Sequence, residues 1–217
     1  GPDGSTGVRL NAATHSGGTA INDEDAKLGL LAVGLDWRSR DVRLSGDIGW
    51  QDHQLKRTRT NVTLGANVTS VPAVPDNQSN YAQPWSYSNE RDTFGTFRGE
   101  WDITPDMTAW AAAGARRSEE ANSLANITVN NGSSGAATAS RFDNTREDSV
   151  NTGELGVRGK LQTGSVGHEW VATASLFDFD KKNAYAMDWR NTLATNLYGP
   201  VSTNLPAFSG TTLYGGD

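Results

Sequence analysis

The side chains that most often do chemistry are present in this 217-residue chain, but not in working arrangements. His15, His53 and His168 are the three histidines; they are scattered without metal-ligand spacing and read as surface or interface residues. Asp23-Glu24-Asp25 and Glu147-Asp148 concentrate charge that could draw Ca²⁺, yet the carboxylate spacing of an EF-hand loop is missing, so solvated loop is the plainer reading. Gly153, Gly156 and Gly159 are spaced like part of a phosphate-cradling loop, but no helix follows them. Asn-x-Ser/Thr sequons at Asn61, Asn67, Asn77, Asn126 and Asn131 would accept glycans only in a eukaryotic secreted protein. There is no cysteine, hence no thiol nucleophile, thiolate metal site or disulfide. No nucleophile elbow or Ser/His/Asp triad stands out among the many Ser and carboxylate residues. The chain reads as something other than an enzyme.

Composition narrows the remaining classes. A net charge of −6 argues against nucleic acid as a partner, which would require basic patches to neutralise phosphate. Apolar residues make up 35% of the chain, so a conventional core would be thin. Gly1-Pro2-Asp3-Gly4-Ser5 has neither the basic nor the apolar region of a signal peptide. No run approaches the roughly 20 apolar residues of a membrane helix. A membrane strand escapes that test, because its alternating residues average out.

Alternation is what the sequence contains wherever it is regular. Along 28–38, Leu31, Val33, Leu35 and Trp37 share one face. Along 42–51, Val42, Leu44, Ile48 and Trp50 oppose Arg43, Ser45, Asp47 and Gln51. Phe97 and Trp101 oppose Arg98, Glu100 and Asp102; Leu155 and Val157 oppose Glu154, Arg158 and Lys160. Strands are also expected at 7–14, 107–117 and 168–179, about seven in all, with no convincing helix.

Short turns fall at 38–41, 104–106 and 163–167, and long polar segments at about 16–27, 57–90, 119–149 and 182–217. Short and long alternate strictly, which in an up-and-down meander puts all long loops at one end. Outer-membrane barrels have that asymmetry. Trp37, Trp101, Trp110 and Trp170 lie near the short turns and would form one interfacial girdle, with Trp50 near the other. On that logic Trp110, Ala112 and Gly114 face lipid, as do Trp170, Ala172, Ala174 and Leu176. The expected fold is all-β: an antiparallel up-and-down meander of about seven strands from a transmembrane barrel, left open. A soluble sandwich or solenoid explains the alternation equally well, but not the one-ended loops or the Trp positions.

An odd strand count cannot close a bacterial barrel, and the tail after Arg190, with Pro200 and Pro206, reads as a loop cut short. The segments GVRLNAATHSGGTA, LGLLAVGLDWR, YSNERDTFGTFRGEWDIT, AWAAAGARRSEEANSLAN, RFDNTREDSVNTGELGVRG and FDFDKKNAYAM resemble, in order, the early barrel of TonB-dependent siderophore receptors. The resemblance runs from Gly7 to about Met187. It implies that residues 1–217 are partial receptor barrel, without plug domain or closing C-terminal strand. It further implies a bacterial outer-membrane protein for energy-coupled uptake of a ferric siderophore, with the TonB complex engaged through the missing plug and outer-membrane lipid around the wall. No cofactor is expected; iron would arrive inside the chelate, and no residue is expected to ligate metal.

The resemblance calls for a vestibule that holds the chelate. Aromatic rings supply low-entropy contact area and Arg supplies charge. The candidates are Tyr81, Trp85 and Tyr87 in the longest loop, Arg116 and Arg117 at a strand end, and Tyr185 and Trp189 beyond another; loop aromatics that merely pack the loops together remain an alternative. Arg43, Asp47, Arg98, Glu100, Glu154, Arg158 and Lys160 would face the plug and lumen water. A passive porin or small structural barrel, and a soluble adhesin or β-rich binding domain, are the alternatives in function.

Overall fold

A computed structural model describes Gly1 and Asp3–Asp217. Its strands are β1 (Thr6–Gly18), β2 (Asp25–Arg38), β3 (Val42–Lys56), β4 (Val62–Leu64), β5 (Tyr87–Thr104), β6 (Met107–Val129), β7 (Ala136–Thr163), β8 (Val166–Asn196) and β9 (Leu213–Gly216). They form one sheet in the order β1-β2-β3-β5-β6-β7-β8-β9. Every step along that order is antiparallel, and the sheet does not close. The seven long strands are those read from alternation.

Three of them are far longer than alternation suggested. The segment 119–149 is not a loop: β6 and β7 stay paired up to Val129 and Ala137, and only 130–135 turn. Above the apolar band, backbone pairing holds 119–124 with neither face apolar, and apolar alternation returns only over the short run Ala125, Ile127 and Val129, which the loops bury. The turn is set locally, with Asn131 Oδ1 accepting from the Ser133 and Ser134 amides (both 3.0 Å) and Gly135 at φ +71°. Nor is 182–217 an open loop. β8 continues to Asn196, and Leu213–Gly216 returns as β9 against Ala184–Met187. The segment expected at 16–27 shrinks to a turn at 19–24, and 57–90 to 57–86.

One pairing departs from the meander. β4, inside the long loop, runs parallel to Ile127–Val129 of β6. β5 stops pairing at Tyr87–Ser123, which leaves the top of β6 an open edge, and the loop covers it. No parallel crossover interrupts the main order.

Directly paired residues share a face, so the register settles the facing. Val33, Ile48, Gly95 and Ala115 form one row; Trp37, Leu44, Gly99, Ala111, Leu155 and Ala174 form another. All the expected apolar residues lie on this face, and Val8, Leu10, Leu35, Ile48, Phe97 and Leu155 are each more than half exposed. Trp110 is the exception. It pairs with Glu100 and Gly156 on the charged face, so Ala109, Ala111 and Ala113 are outward, not Trp110, Ala112 and Gly114. Its indole lies over Gly156, where a Cβ would meet the ring, and Nε1 donates to Glu154 Oε1 (2.5 Å). Composition could not assign this strand because Ala flanks Trp110 on both sides.

The outward girdle is therefore Trp37, Trp101 and Trp170, and it is oblique. Trp37 shares its row with Ala174, Trp101 shares its row with Ala172, and β8 carries its Trp at 170. The drift corresponds to a slope of roughly 30° at ~3.3 Å per residue and ~4.8 Å per strand, close to the tilt of membrane barrels.

Candidate functional site

The charged face carries the residues expected inward, and they are wired to each other. Arg43 donates to both carboxylate oxygens of Asp102 (2.6 and 2.8 Å) and to Glu100 (3.2 Å). Arg98 donates to Glu100 (2.8 Å) and lies 3.6 Å from Glu154; Arg158 approaches Glu100 at 3.7 Å. Arg9 joins Asp47 (2.6 Å), and Lys160 joins Glu169 (3.1 Å). Each such pair adds little in water-filled surroundings. Together they leave a wall whose lower half is largely self-neutralised, so it can stay wet without attracting one sign of solute.

At the other end the loops build a second, small core. Ile127, Val129, Ala137 and Leu197 are buried together, with Tyr81 packed on them. Gln83, 1% exposed, donates to Val201 O (2.9 Å) and accepts from the Thr203 amide (2.8 Å) and hydroxyl (3.0 Å), tying segment 57–86 to segment 197–212. Below it, Asp188, also 1% exposed, accepts from the Ser209 amide (2.9 Å) and from the hydroxyls of Thr211 (3.1 Å) and Thr212 (3.0 Å). Arg141 donates to Pro206 O (2.7 Å) and stacks on Phe208, its Cζ 3.9 Å from the ring centroid. Gln83, Asp188 and Arg141 escaped the sequence reading, since nothing local distinguishes them. Their partners lie 21 to 120 residues away.

Hydrogen bonds from Ser209, Thr212 and Asn191 hold the Asp188 carboxyl far below the usual carboxylate range. A carboxylate of depressed pKa stabilises the fold above its unfolded value, near pH 4, and that stabilisation fades only as pH falls through the lower folded value. The latch is thus expected to hold unchanged from pH 7 to 5 and to loosen only below about pH 4. Asp188→Asn should release it at every pH. Hydrogen exchange of amides 207–212 reads both; protection lost between pH 7 and 5 in the unaltered protein would contradict this.

The seven binding candidates do not converge on one spot. Tyr81 is half buried; its hydroxyl donates to Thr60 O (2.5 Å), and burial raises its pKa. Trp85 has Nε1 buried without a partner, and Trp189 lies beside Arg190 (5.0 Å) in the bulge of β8. Arg116 and Tyr185 are on the charged face, Tyr185 stacked on Phe142 at 6.2 Å. Arg117 and Tyr87 are on the opposite face. Adjacent residues of a strand point to opposite sides, so Arg116 and Arg117 cannot serve one ligand.

Comparison with known proteins agrees with this geometry. The chain is 31% identical over 206 residues, 95% of its length, to the ferrichrome receptor FcuA of Yersinia enterocolitica, of which it spans 27%. Its fold matches BauA, the ferric preacinetobactin receptor of Acinetobacter baumannii, with a TM-score of 0.85 at 24% identity, covering 98% of this chain and 32% of that one. The siderophore receptor PiuA from the same organism matches at 0.74 and 15% identity over 98% of this chain and 33% of that one. No family model matches. Kinship and fold together define the class it resembles: the open sheet matches a stretch of barrel wall from TonB-dependent siderophore receptors. It spans about a third or less of each of these relatives. In a wall of that kind the apolar face meets lipid and the charged face looks into the lumen.

Proposed function

We propose that this wall belongs to an outer-membrane receptor that takes up a ferric siderophore by energy coupling through TonB. The observation that carries the reading is the pairing of an uncovered apolar face with a charged opposite face, in a chain related along almost its whole length to a ferrichrome receptor. A soluble domain would cover the apolar face, and the kinship speaks against a passive porin. The strands form wall, and the interlocked segments 57–86 and 197–212 form part of the outer rim. Iron is cargo, carried inside its chelate. Of the seven candidates, Arg116 and Tyr185 face the lumen, where a chelate passes, and we assign them first; Tyr81 and Trp85 act chiefly by holding the rim together.

The test uses the full-length receptor in detergent, titrated with ferric hydroxamate and ferric catecholate chelates while tryptophan fluorescence is followed. Saturable quenching by at least one class is expected. Arg116→Gln should weaken that binding roughly tenfold, about the effect of one lost charge-assisted hydrogen bond. Failure of the unaltered receptor to bind any ferric chelate would overturn the reading.

A further inference from the structure

The charged face is not charged throughout. One step below the row of Trp50, near the upper edge of the apolar band, it carries the row Gly49, Phe94, Arg116, Val150 and Phe179. The row beneath is Asp47, Thr96, Gly114, Thr152 and Phe177. Phe94, Phe177 and Phe179 are exposed, Phe177 by 69%, on the same side as Arg43, Glu100 and Glu154. Phe177 and Phe179 stack on each other at 6.4 Å. The Phe94 ring lies over Gly49, where a Cβ would strike it, and so leans away from Arg116.

These residues frame a seat. Phe94 on β5 and Phe179 on β8 stand three strands apart, roughly 14 Å at ~4.8 Å per strand. Between them the wall carries Arg116 and Val150, with Gly114 and Thr152 beneath. A hollow of about 620 Å³ opens there, lined by Thr96, Gly114, Thr152, Ser175 and Phe177 and floored by Arg98 and Glu154, which lie 3.6 Å apart. Its size suits a small-molecule ligand. Arg116 makes no ion pair among the described residues, whereas Arg43, Arg98 and Arg146 on the same face all do. The rows above it are acidic. Asp148 and Glu120 share Arg146 (3.1 and 2.7 Å), but Asp92 and Glu90 have no cationic partner among the described residues.

Resting on the receptor reading, we infer that this seat selects a ferric chelate of mixed donors, with one anionic aromatic arm, a catecholate or phenolate, and its other donors aliphatic. The ring of that arm stacks against Phe177 and Phe179, and its oxygens accept from Arg116. A ferric trihydroxamate, neutral and without aromatic rings, uses neither contact. A ferric tris-catecholate brings rings but also several negative charges, and it must pass Glu90 and Asp92 to arrive. Inside a confined lumen that repulsion is poorly screened. One unpaired cation below two unpaired carboxylates therefore matches one anionic ring, not three.

The full-length receptor in detergent is titrated by tryptophan quenching with three probes: a ferric trihydroxamate, a ferric tris-catecholate, and a ferric chelate with one catecholate and two hydroxamate arms. The mixed chelate should bind about tenfold tighter than either of the others. Phe177→Ala/Phe179→Ala should abolish that advantage while trihydroxamate binding stays within about twofold, which also shows the barrel intact. Glu90→Gln/Asp92→Asn should tighten the tris-catecholate about tenfold and leave the mixed chelate within about twofold, a gain that a damaged fold cannot produce. Equal or tighter binding of the trihydroxamate or the tris-catecholate by the unaltered receptor would overturn the inference. So would an undiminished preference in Phe177→Ala/Phe179→Ala, or no gain for the tris-catecholate in Glu90→Gln/Asp92→Asn. If no chelate binds at all, the receptor reading falls and this inference with it, a result distinct from binding in the wrong order.

Discussion

Arginine at Val33 or Ile48 is expected to cost the full receptor about 2–4 kcal/mol in folding into lipid vesicles, and only about 0–1 at Val42 or Leu44. The register gives the reason. Val33 and Ile48 pair with each other, four residues above the row of Trp37 and Leu44 and two residues below Trp50. A cation there is held in hydrocarbon, whereas one at Leu44 or Val42 extends past the girdle to water and phosphate. If the same face were instead a soluble core, cost would follow packing. Ile48 is 65% exposed and Leu44 36%, so a soluble core would penalise Leu44 more than Ile48. The two readings therefore give opposite orders. Urea titrations of folding into vesicles decide between them, and equal penalties at Val42, Leu44 and Ile48 would refute the membrane gradient.

Ile127→Ala is expected to cost about 2–5 kcal/mol, within the range for a large buried aliphatic residue cut back to Ala. Here the loss should be local. Ile127 is 1% exposed and belongs to a cluster that joins the top of β6, the top of β7 and the long loop, above the exposed apolar band of the wall. Opening it should free segments 57–86 and 197–212 together, because Gln83 ties one to the other. Hydrogen exchange and limited proteolysis should show both segments exposed while β2, β3 and β5 keep their protection, as separate cooperative units do. Release of one segment without the other would show that the Gln83 contacts are incidental. Collapse of the whole wall would show that the rim is not a unit of its own.

Much of this fold was legible because a barrel wall is written at period two. Where one face meets lipid and the other water, Leu44 and Arg43 must alternate, and the strands crossing the apolar band were readable within a few residues. Trp37, Trp101 and Trp170 marked the girdle because indoles favour that interface. The same rule failed above the membrane. At 119–124 and 182–192 neither face needs to be apolar, and Ala125, Ile127 and Val129 form too short an apolar run to stand out, so the strands read as loops although their backbones stay paired but for a bulge at 189–191.

Facing was legible only where the two faces differ in composition. Around Trp110 the neighbours are Ala on both sides, so the strand carried no local sign. The pairing of Trp110 with Glu100 and Gly156 put it in the lumen. The binding candidates met the same limit: residue type marked Tyr81, Arg116 and Arg117, but burial, lumen or lipid was decided by register. By itself the sequence determined the class, a one-sided β-wall with its loops at one end, because solvent imposes that pattern residue by residue. Only the tertiary structure decided which loops interlock and which charges face each other across strands. Gln83 meets Thr203 across 120 residues, and Glu119 faces Glu147 through strand pairing alone, so neither contact leaves a local trace in the chain.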